Sequence, residues 1–417
     1  MDQAPLLTAT LVTLHVLIQM AFAVRVLLRP HRDPASRIAW VVVIVALPML
    51  GIFAYILFGE VNIGRRRIQR MREVLARMPD VTDAVGVDGE NLRPDVPEPH
   101  AHLFRVGHSI SGFPPVGGNS GRLLEDSDAT IDAIVADIDA ARDHVHLLFY
   151  IWLPDTNGCK VAEALKRAAA RGVTCRAMAD DLGSRTMIHS HHWKDMQEAG
   201  VHLARALPIG NPLLRPLHGR IDLRNHRKMV IVDGRAAIVG GMNMAVEYMG
   251  PEARPDRWQD ISVRLTGPAA GQAFEIFRSD WQFAAREDLG SEKPYGGRTD
   301  GTATTALQFM ASGPDVENDA LREAFMISLF RAHQRVWIVT PYFVPDDLLQ
   351  ESLCMAARRG IDLRLIVPRR SNHRLADLAR EGYLSQLQQA GARILLYRPR
   401  MLHAKAVLID DTVAVAG

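Results

Sequence analysis

Two stretches of this chain, 191 residues apart, are variants of one pattern, and that repetition constrains the fold more than any other feature. Met196-Gln-Glu-Ala-Gly-Val-His-Leu-Ala-Arg-Ala-Leu-Pro208 resembles Leu387-Gln-Gln-Ala-Gly-Ala-Arg-Ile-Leu-Leu-Tyr-Arg-Pro399, with Gly200 facing Gly391 and Pro208 facing Pro399. Ala141–Val145 aligns with Ala332–Val336 at the same offset of 191, and Ala170-Arg-Gly172 with Arg358-Arg-Gly360 at 188. Separated pieces with a common offset imply two copies of one unit, joined near the Gly/Pro-rich stretch Gly290–Gly297. Inside the first copy, helix and strand patterns alternate. Ile131–Ala141 has helical spacing and Val145–Trp152 is a strand-length apolar run. Val161–Arg171 is an Ala-rich helix stopped at Gly172, and Val173–Ala179 is the next strand. The expected fold is α/β, with a central sheet in each copy.

Each copy carries one His-x-Lys-x-x-x-x-Asp element: His226-Arg-Lys228-Met-Val-Ile-Val-Asp233, followed by Gly240-Gly-Met-Asn243, and His403-Ala-Lys405-Ala-Val-Leu-Ile-Asp410. The residues between Lys and Asp are apolar and β-prone, so the element reads as a strand, and positions i and i+2 share a face. His226 with Lys228, and His403 with Lys405, therefore stand side by side. Attack on a phosphodiester needs a nucleophile, a cationic cradle and an acid for the leaving alcohol. Imidazole serves as nucleophile or acid near neutral pH, lysines hold phosphoryl oxygens, and two motifs are required because one ring attacks while the other donates. His189, His191 and His192 also cluster, but in a polar stretch with no expected partner carboxylate at ligand spacing, so no metal site is expected.

Pro5–Val24 and Ile38–Phe58 carry no Asp, Glu, Lys or Arg, and each reaches the roughly 20 residues that cross a bilayer as a helix. The start Met1-Asp2-Gln3 is not basic and a second span follows closely, which distinguishes the pair from a cleavable signal. Trp40 and Tyr55 are placed as interfacial anchors. Arg65, Arg66, Arg67, Arg70 and Arg72 after the second span outnumber Arg29, Arg32 and Arg37 between the spans, favouring a cytoplasmic catalytic region. With 49 Lys+Arg against 47 Asp+Glu there is no global basic excess and no broad stripe for nucleic acid. Cys159, Cys175 and Cys354 are odd in number and widely spaced, which argues against a disulfide framework.

The paired motifs resemble the phospholipase D superfamily. Ala39-Trp40, Leu47-Pro48, Gly51, Leu57-Phe-Gly59, Tyr150-Ile-Trp152, Asp180-Asp-Leu-Gly-Ser184, Asn225–Lys228, Ser312-Gly-Pro314, Thr340–Pro345 and Leu402–Lys405 are similar to stretches of bacterial cardiolipin synthases, as is Arg32-Asp-Pro34. The resemblance implies an enzyme of the bacterial inner membrane, multi-pass, without cofactor or metal. Such an enzyme moves a phosphatidyl group between two phosphatidylglycerol molecules through a phosphohistidine, releasing glycerol. It implies His226 as nucleophile, His403 as acid/base, Lys228 and Lys405 as the cradle, and Asn243 with the Gly241 N–H at the phosphate. Asp233 and Asp410 complete the catalytic motifs by resemblance, although a carboxylate that far along a strand is more safely read as structural support. Alternatives are a phosphodiesterase using water, or a truncated non-catalytic membrane protein.

The expected organisation is a transmembrane two-helix hairpin with basic flank (1–75), a linker (76–118), a first phospholipase D-like domain (119–289), a connector (290–300) and a second such domain (301–417), the two related by a pseudo-two-fold axis. Gly241 stands where the family usually has Ser. Asp233 precedes Asn243 by ten residues, so the second copy stops three short of its counterpart, and the second domain is expected to be C-terminally incomplete, with reduced activity. A second copy of the chain could supply the missing edge in a homo-oligomer.

Overall fold

The computed structural model describes residues 4–29, 34–59, 65–77, 94–210, 220–248, 257–290, 305–313 and 320–417. Arg32, part of the expected linker (78–93), the connector beyond Gly290 and Pro314 lie outside them. The chain forms two compact units: residues 1–70 with 209–223, and residues 71–208 with 224–417.

In the first unit α1 (Ala4–Leu28) is apolar over Pro5–Leu28, long enough to cross a membrane, with only 6% of its most apolar window buried. The second apolar run is not one helix. It breaks into α2 (Pro34–Ala46) and α3 (Pro48–Ala54), continued by a π-helical turn over Tyr55–Gly59, and neither piece alone reaches spanning length. Pro48 brings no N–H and its ring disfavours helical geometry at Leu47, which sits at φ −125° and ψ 74°. Gly51 fits because a Cβ there would lie 2.3 Å from the Val43 carbonyl oxygen. Gln19 donates its amide to Ile44 O at 2.7 Å and Arg37 reaches Leu27 O at 3.2 Å, so α1 and α2 are joined by polar as well as apolar contacts. Tyr55 is buried edge-on between Phe22 (6.0 Å) and Trp40 (5.4 Å), which makes it a packing residue rather than the interfacial anchor expected.

The chain continues through α4 (Arg65–Arg77) and α5 (Glu98–Ser111) into β1 (Val116–Leu123). There follow α6 (Ser127–Ala140), β2 (His144–Phe149), α7 (Thr156–Ala170), β3 (Thr174–Asp180), the short α8 (Arg185–Ile188), α9 (His191–Glu198) and β4 (His202–Ala206). Then come β5 (Met229–Val232), β6 (Ala236–Gly240), β7 (Ser262–Thr266), α10 (Ala269–Ala285) and β8 (Thr305–Leu307). The described strands of this part form one sheet in the order β4-β3-β2-β5-β6-β7-β1-β8. The second copy contains α11 (Ala320–Arg331), β9 (Arg335–Val339), α12 (Asp347–Arg358), β10 (Asp362–Pro368), α13 (Arg374–Gln389), β11 (Arg393–Tyr397), β12 (Ala406–Ile409) and β13 (Val413–Ala416). Its sheet runs β11-β10-β9-β12-β13.

The duplication is visible in this topology. The block β4-β3-β2-β5-β6 repeats as β11-β10-β9-β12-β13, parallel in its first three strands and antiparallel in the last two. Asp155 caps α7 by accepting from Gly158 N at 2.8 Å, and Asp346 caps α12 from Leu349 N at 2.8 Å. Two expected boundaries move: α5 and the start of β1 occupy the stretch expected as linker, and Thr305–Leu307, placed in the second domain from sequence, pairs antiparallel with β1 in the first sheet.

Candidate active site

The two motif strands begin where the halves meet, and short backbone pairings hold the site. Gln259 N donates to Met401 O and His403 N to Gln259 O, both at 2.7 Å, so the segment before β7 is stitched to the segment before β12. That pairing lays Asp260 against the second motif. Its Oδ2 lies 2.7 Å from His403 Nδ1, and the side chain is fully buried. In the first half Met244 N donates to Ile151 O and Leu153 N to Met244 O, which brings Tyr150 beside the first motif. The Tyr150 and His226 rings stack, with centroids 3.9 Å apart and 23° between planes.

The approach to His226 is set by a buried ion pair. Arg224 Nε donates to both Asp180 oxygens (3.1 and 2.9 Å) and its Nη2 reaches Leu207 O at 2.8 Å, while Asp180 also accepts from Leu182 N and Gly183 N at 3.0 Å. A buried ion pair with this many partners fixes local geometry, and removing either member leaves the other uncompensated.

Electrostatics bring all four expected motif residues into one basic pocket. Burial, then the charges of Lys228, Lys405, Arg224 and His403, hold His226 down to about 4. Burial, then the neighbouring Lys405, lowers Lys228 to about 8, and burial lowers Lys405 to about 8 against the pull of Asp260. His403 is lowered chiefly by burial, which outweighs its hydrogen bond to Asp260. The Lys405 ammonium lies against the His403 ring, 2.7 Å from Nδ1 and 3.1 Å from Nε2. At neutral pH His226 is therefore a neutral ring with a lone pair to offer, while His403 has a carboxylate ready to stabilise its imidazolium.

Asp233 and Asp410 are placed as the structural-support reading expects, not as catalytic members of the motifs. Asp233 accepts from the backbone N–H groups of Arg142 (3.0 Å), Asp143 (2.8 Å) and His144 (3.0 Å), and Asp410 does the same for His333 (2.7 Å), Gln334 (2.8 Å) and Arg335 (2.9 Å). Five strand steps of about 3.3 Å, roughly 16 Å, separate each from its motif lysine, so neither joins the pocket. They tie the turns before β2 and β9. Burial raises both carboxyls, but the three N–H donors outweigh it and hold them below the usual range.

The Gly241 N–H donates to Ile261 O at 3.3 Å rather than standing free for a phosphate. A Cβ on Gly241 would fall 2.6 Å from Asp260 Oδ1 and 3.0 Å from Lys405 Nζ, so a serine at this position would crowd the pair beside His403. Asn243 is buried, accepting from Ile151 N and donating to Tyr248 OH, each at 3.2 Å, and Tyr248 OH lies 3.2 Å from His403 Nδ1. Asn243 thus reaches the second histidine through Tyr248. Asp260 and Tyr248 escaped the sequence reading; the available signal was a carboxylate at the apolar start of β7, beyond the first motif.

A family model described as cardiolipin synthase, PLD-like domain, matches residues 134–281 and 326–417, and one described as phospholipase D-nuclease N-terminal matches residues 18–60. Cardiolipin synthase A of Serratia proteamaculans (strain 568) is 34% identical over 406 residues, spanning 94% of this chain and 81% of that protein. Cardiolipin synthase A of Edwardsiella ictaluri (strain 93-146) is 32% identical over 400 residues with the same shares. Among solved structures, phosphatidylserine synthase of Haemophilus influenzae Rd KW20 shares the fold, with a TM-score of 0.51 and 14% identity over 74% of this chain and 80% of that one. By duplicated fold, paired motifs and similarity over nearly its whole length, the chain belongs to the cardiolipin synthase family of phospholipase D-like proteins.

Proposed function

We propose that this chain is a membrane-anchored phosphatidyltransferase that makes cardiolipin and glycerol from two molecules of phosphatidylglycerol. A nitrogen of neutral His226 attacks the phosphorus of the first lipid, the bond from phosphorus to the glycerol oxygen breaks, and His403 gives that oxygen its proton. His403, now neutral, takes the proton of a headgroup hydroxyl on the second lipid. That oxygen attacks phosphorus and the phosphorus–nitrogen bond breaks, which restores both histidines. Lys228 and Lys405 balance the phosphoryl charge throughout, and Asp260 stabilises the imidazolium of His403.

The observation that carries this reading is the asymmetry of the two rings: His226 stacked on Tyr150 and held neutral, His403 bonded to the buried carboxylate of Asp260. The α1–α2–α3 hairpin is the membrane anchor. The broken second segment completes a two-pass arrangement with the catalytic unit on the cytoplasmic side, as the larger arginine cluster favours.

Rapid quench into alkaline detergent, in which a phosphorus–nitrogen bond survives, with phosphatidylglycerol labelled at phosphorus tests the mechanism. Label should stay on protein in the wild type, be absent in His226→Ala and accumulate slowly in His403→Ala. Label retained by His226→Ala would reverse the assignment of roles.

A further inference from the structure

Cys159, His191, His192 and Asp195 play no part in the reaction above, yet three of them gather on one turn of α9 and the fourth touches one of the three. His191, His192 and Asp195 each present a ligand atom, all within 4.8 Å of one another. His192 Nε2 lies 3.3 Å from Cys159 Sγ, which comes from the neighbouring helix α7. We propose that these four side chains bind one divalent transition metal of the zinc class, pinning α9 to α7.

From sequence the histidine cluster is expected to lack a partner carboxylate at ligand spacing. Asp195 supplies it. On α9, positions three and four apart share a face, so Asp195 stands one turn below both His192 and His191. Cys159, 33 positions upstream of His192, is a partner that only the fold reveals. The two imidazoles pack at a centroid separation of 3.9 Å, so one ring must turn for both to ligate a single ion at tetrahedral angles.

Size and chemistry both select the class of ion. A tetrahedral zinc with bonds of about 2.3 Å to sulfur and about 2.0–2.1 Å to nitrogen sets the sulfur–nitrogen distance near 3.5 Å, close to the 3.3 Å found between Cys159 and His192. One thiolate, two imidazoles and one carboxylate suit zinc, cobalt(II) or nickel(II), and are a poor match for magnesium or calcium, which take oxygen donors. Thiolate and carboxylate also neutralise a dication. The site has a mechanical neighbour. Trp193, next to His192, meets Trp152 edge-on at 6.4 Å, and Trp152 donates its indole N–H to Gly158 O at 3.0 Å, one residue before Cys159. Trp152 bridges to Met244, beside Asn243. An ion here would brace the outer support of the loop that carries Tyr150.

The test uses tag-free full chain in detergent, stripped with chelator and dialysed against zinc chloride. Retained metal should reach about one equivalent. Because partners outside the coordination sphere already change metal affinity about 10–100-fold, Cys159→Ser and His192→Ala should each weaken binding at least about tenfold, and together abolish it. His189→Ala, whose Nδ1 contacts Arg185 O at 2.8 Å outside the set, should retain wild-type stoichiometry. Two readouts need no variant. Cobalt(II) should give a thiolate-to-metal charge-transfer band, and zinc should slow alkylation of native protein, in which Cys159 is the partly exposed cysteine while Cys175 and Cys354 are buried. Substoichiometric zinc, wild-type stoichiometry in the Cys159→Ser/His192→Ala double variant, or a cobalt spectrum without thiolate character would each overturn the proposal.

Discussion

Replacing Asp260 by asparagine isolates what the carboxylate contributes to His403. The shape is kept, and the amide oxygen can still accept the Ile261 N–H that Asp260 Oδ1 takes at 2.8 Å, so the backbone pairing that builds the site should survive. What disappears is the negative charge 2.7 Å from His403 Nδ1. An opposite charge at that distance shifts a pKa by about 1–3 units, so its removal cuts the imidazolium fraction at neutral pH by about 10–10³. An asparagine that turns its NH₂ toward Nδ1 also selects the wrong tautomer, and a comparable Asp-to-Asn change in a serine protease triad costs about 10⁴ in kcat. We expect kcat to fall about 10²–10⁴, and KM to rise toward alkaline pH, because Lys405, held at about 8 against burial by the pull of Asp260, gives up its charge more readily without it. The assay is initial-rate formation of cardiolipin across pH, with the alkaline limb expected to move to lower pH as His403 loses its counter-charge. Asp260→Glu should recover part of the rate. Turnover by Asp260→Asn within about threefold of wild type would refute the reasoning, given the size of the electrostatic effect at stake.

Three other outcomes follow from the geometry. The kcat/KM profile should rise as the histidine pair loses its first proton at about 4, where His226 sits, and fall as His403 deprotonates below the ordinary imidazole range; an acid limb near 6.5 would contradict the burial argument. Asp233→Ala and Asp410→Ala should each destabilise the fold by about 2–4 kcal/mol in urea titration, with unchanged turnover per folded molecule, because three backbone donors lose their acceptor. Both carboxyls are held low in the folded state, so their contribution is present above the unfolded carboxyl value near ~3.9 and is lost as pH falls through the folded values. Arg224→Met should lower activity and stability more than Arg224→Met/Asp180→Leu, since the single change strands a buried carboxylate; equal effects would show the ion pair to be incidental.

The sequence made the repeat legible because each copy uses the same local devices: a left-handed glycine after a helix at Gly172 and Gly360, and again at Gly200 and Gly391. The period-two pattern of the motif strands placed His226 with Lys228 and His403 with Lys405. Contacts between the halves were not legible. Asp260 meets His403 across 143 positions, brought there by the Gln259–Leu402 pairing. The same limit hid Tyr248 and the route from Asn243 to the second histidine. Asp233 and Asp410 were written into a motif as a linear string, whereas a strand carries its far end away from the pocket. In the anchor, apolar length alone read Ile38–Phe58 as one span; the conformational effect of Pro48 on Leu47 divides it.

The central claim is that one pocket transfers a phosphatidyl group to a lipid hydroxyl instead of to water. Purified protein in mixed micelles with phosphatidylglycerol as the lipid, analysed by mass spectrometry, tests it most directly. The account predicts cardiolipin and free glycerol in equal amounts, abolished by His226→Ala. Phosphatidic acid as the main product, or cardiolipin formation that persists in His226→Ala, would contradict it.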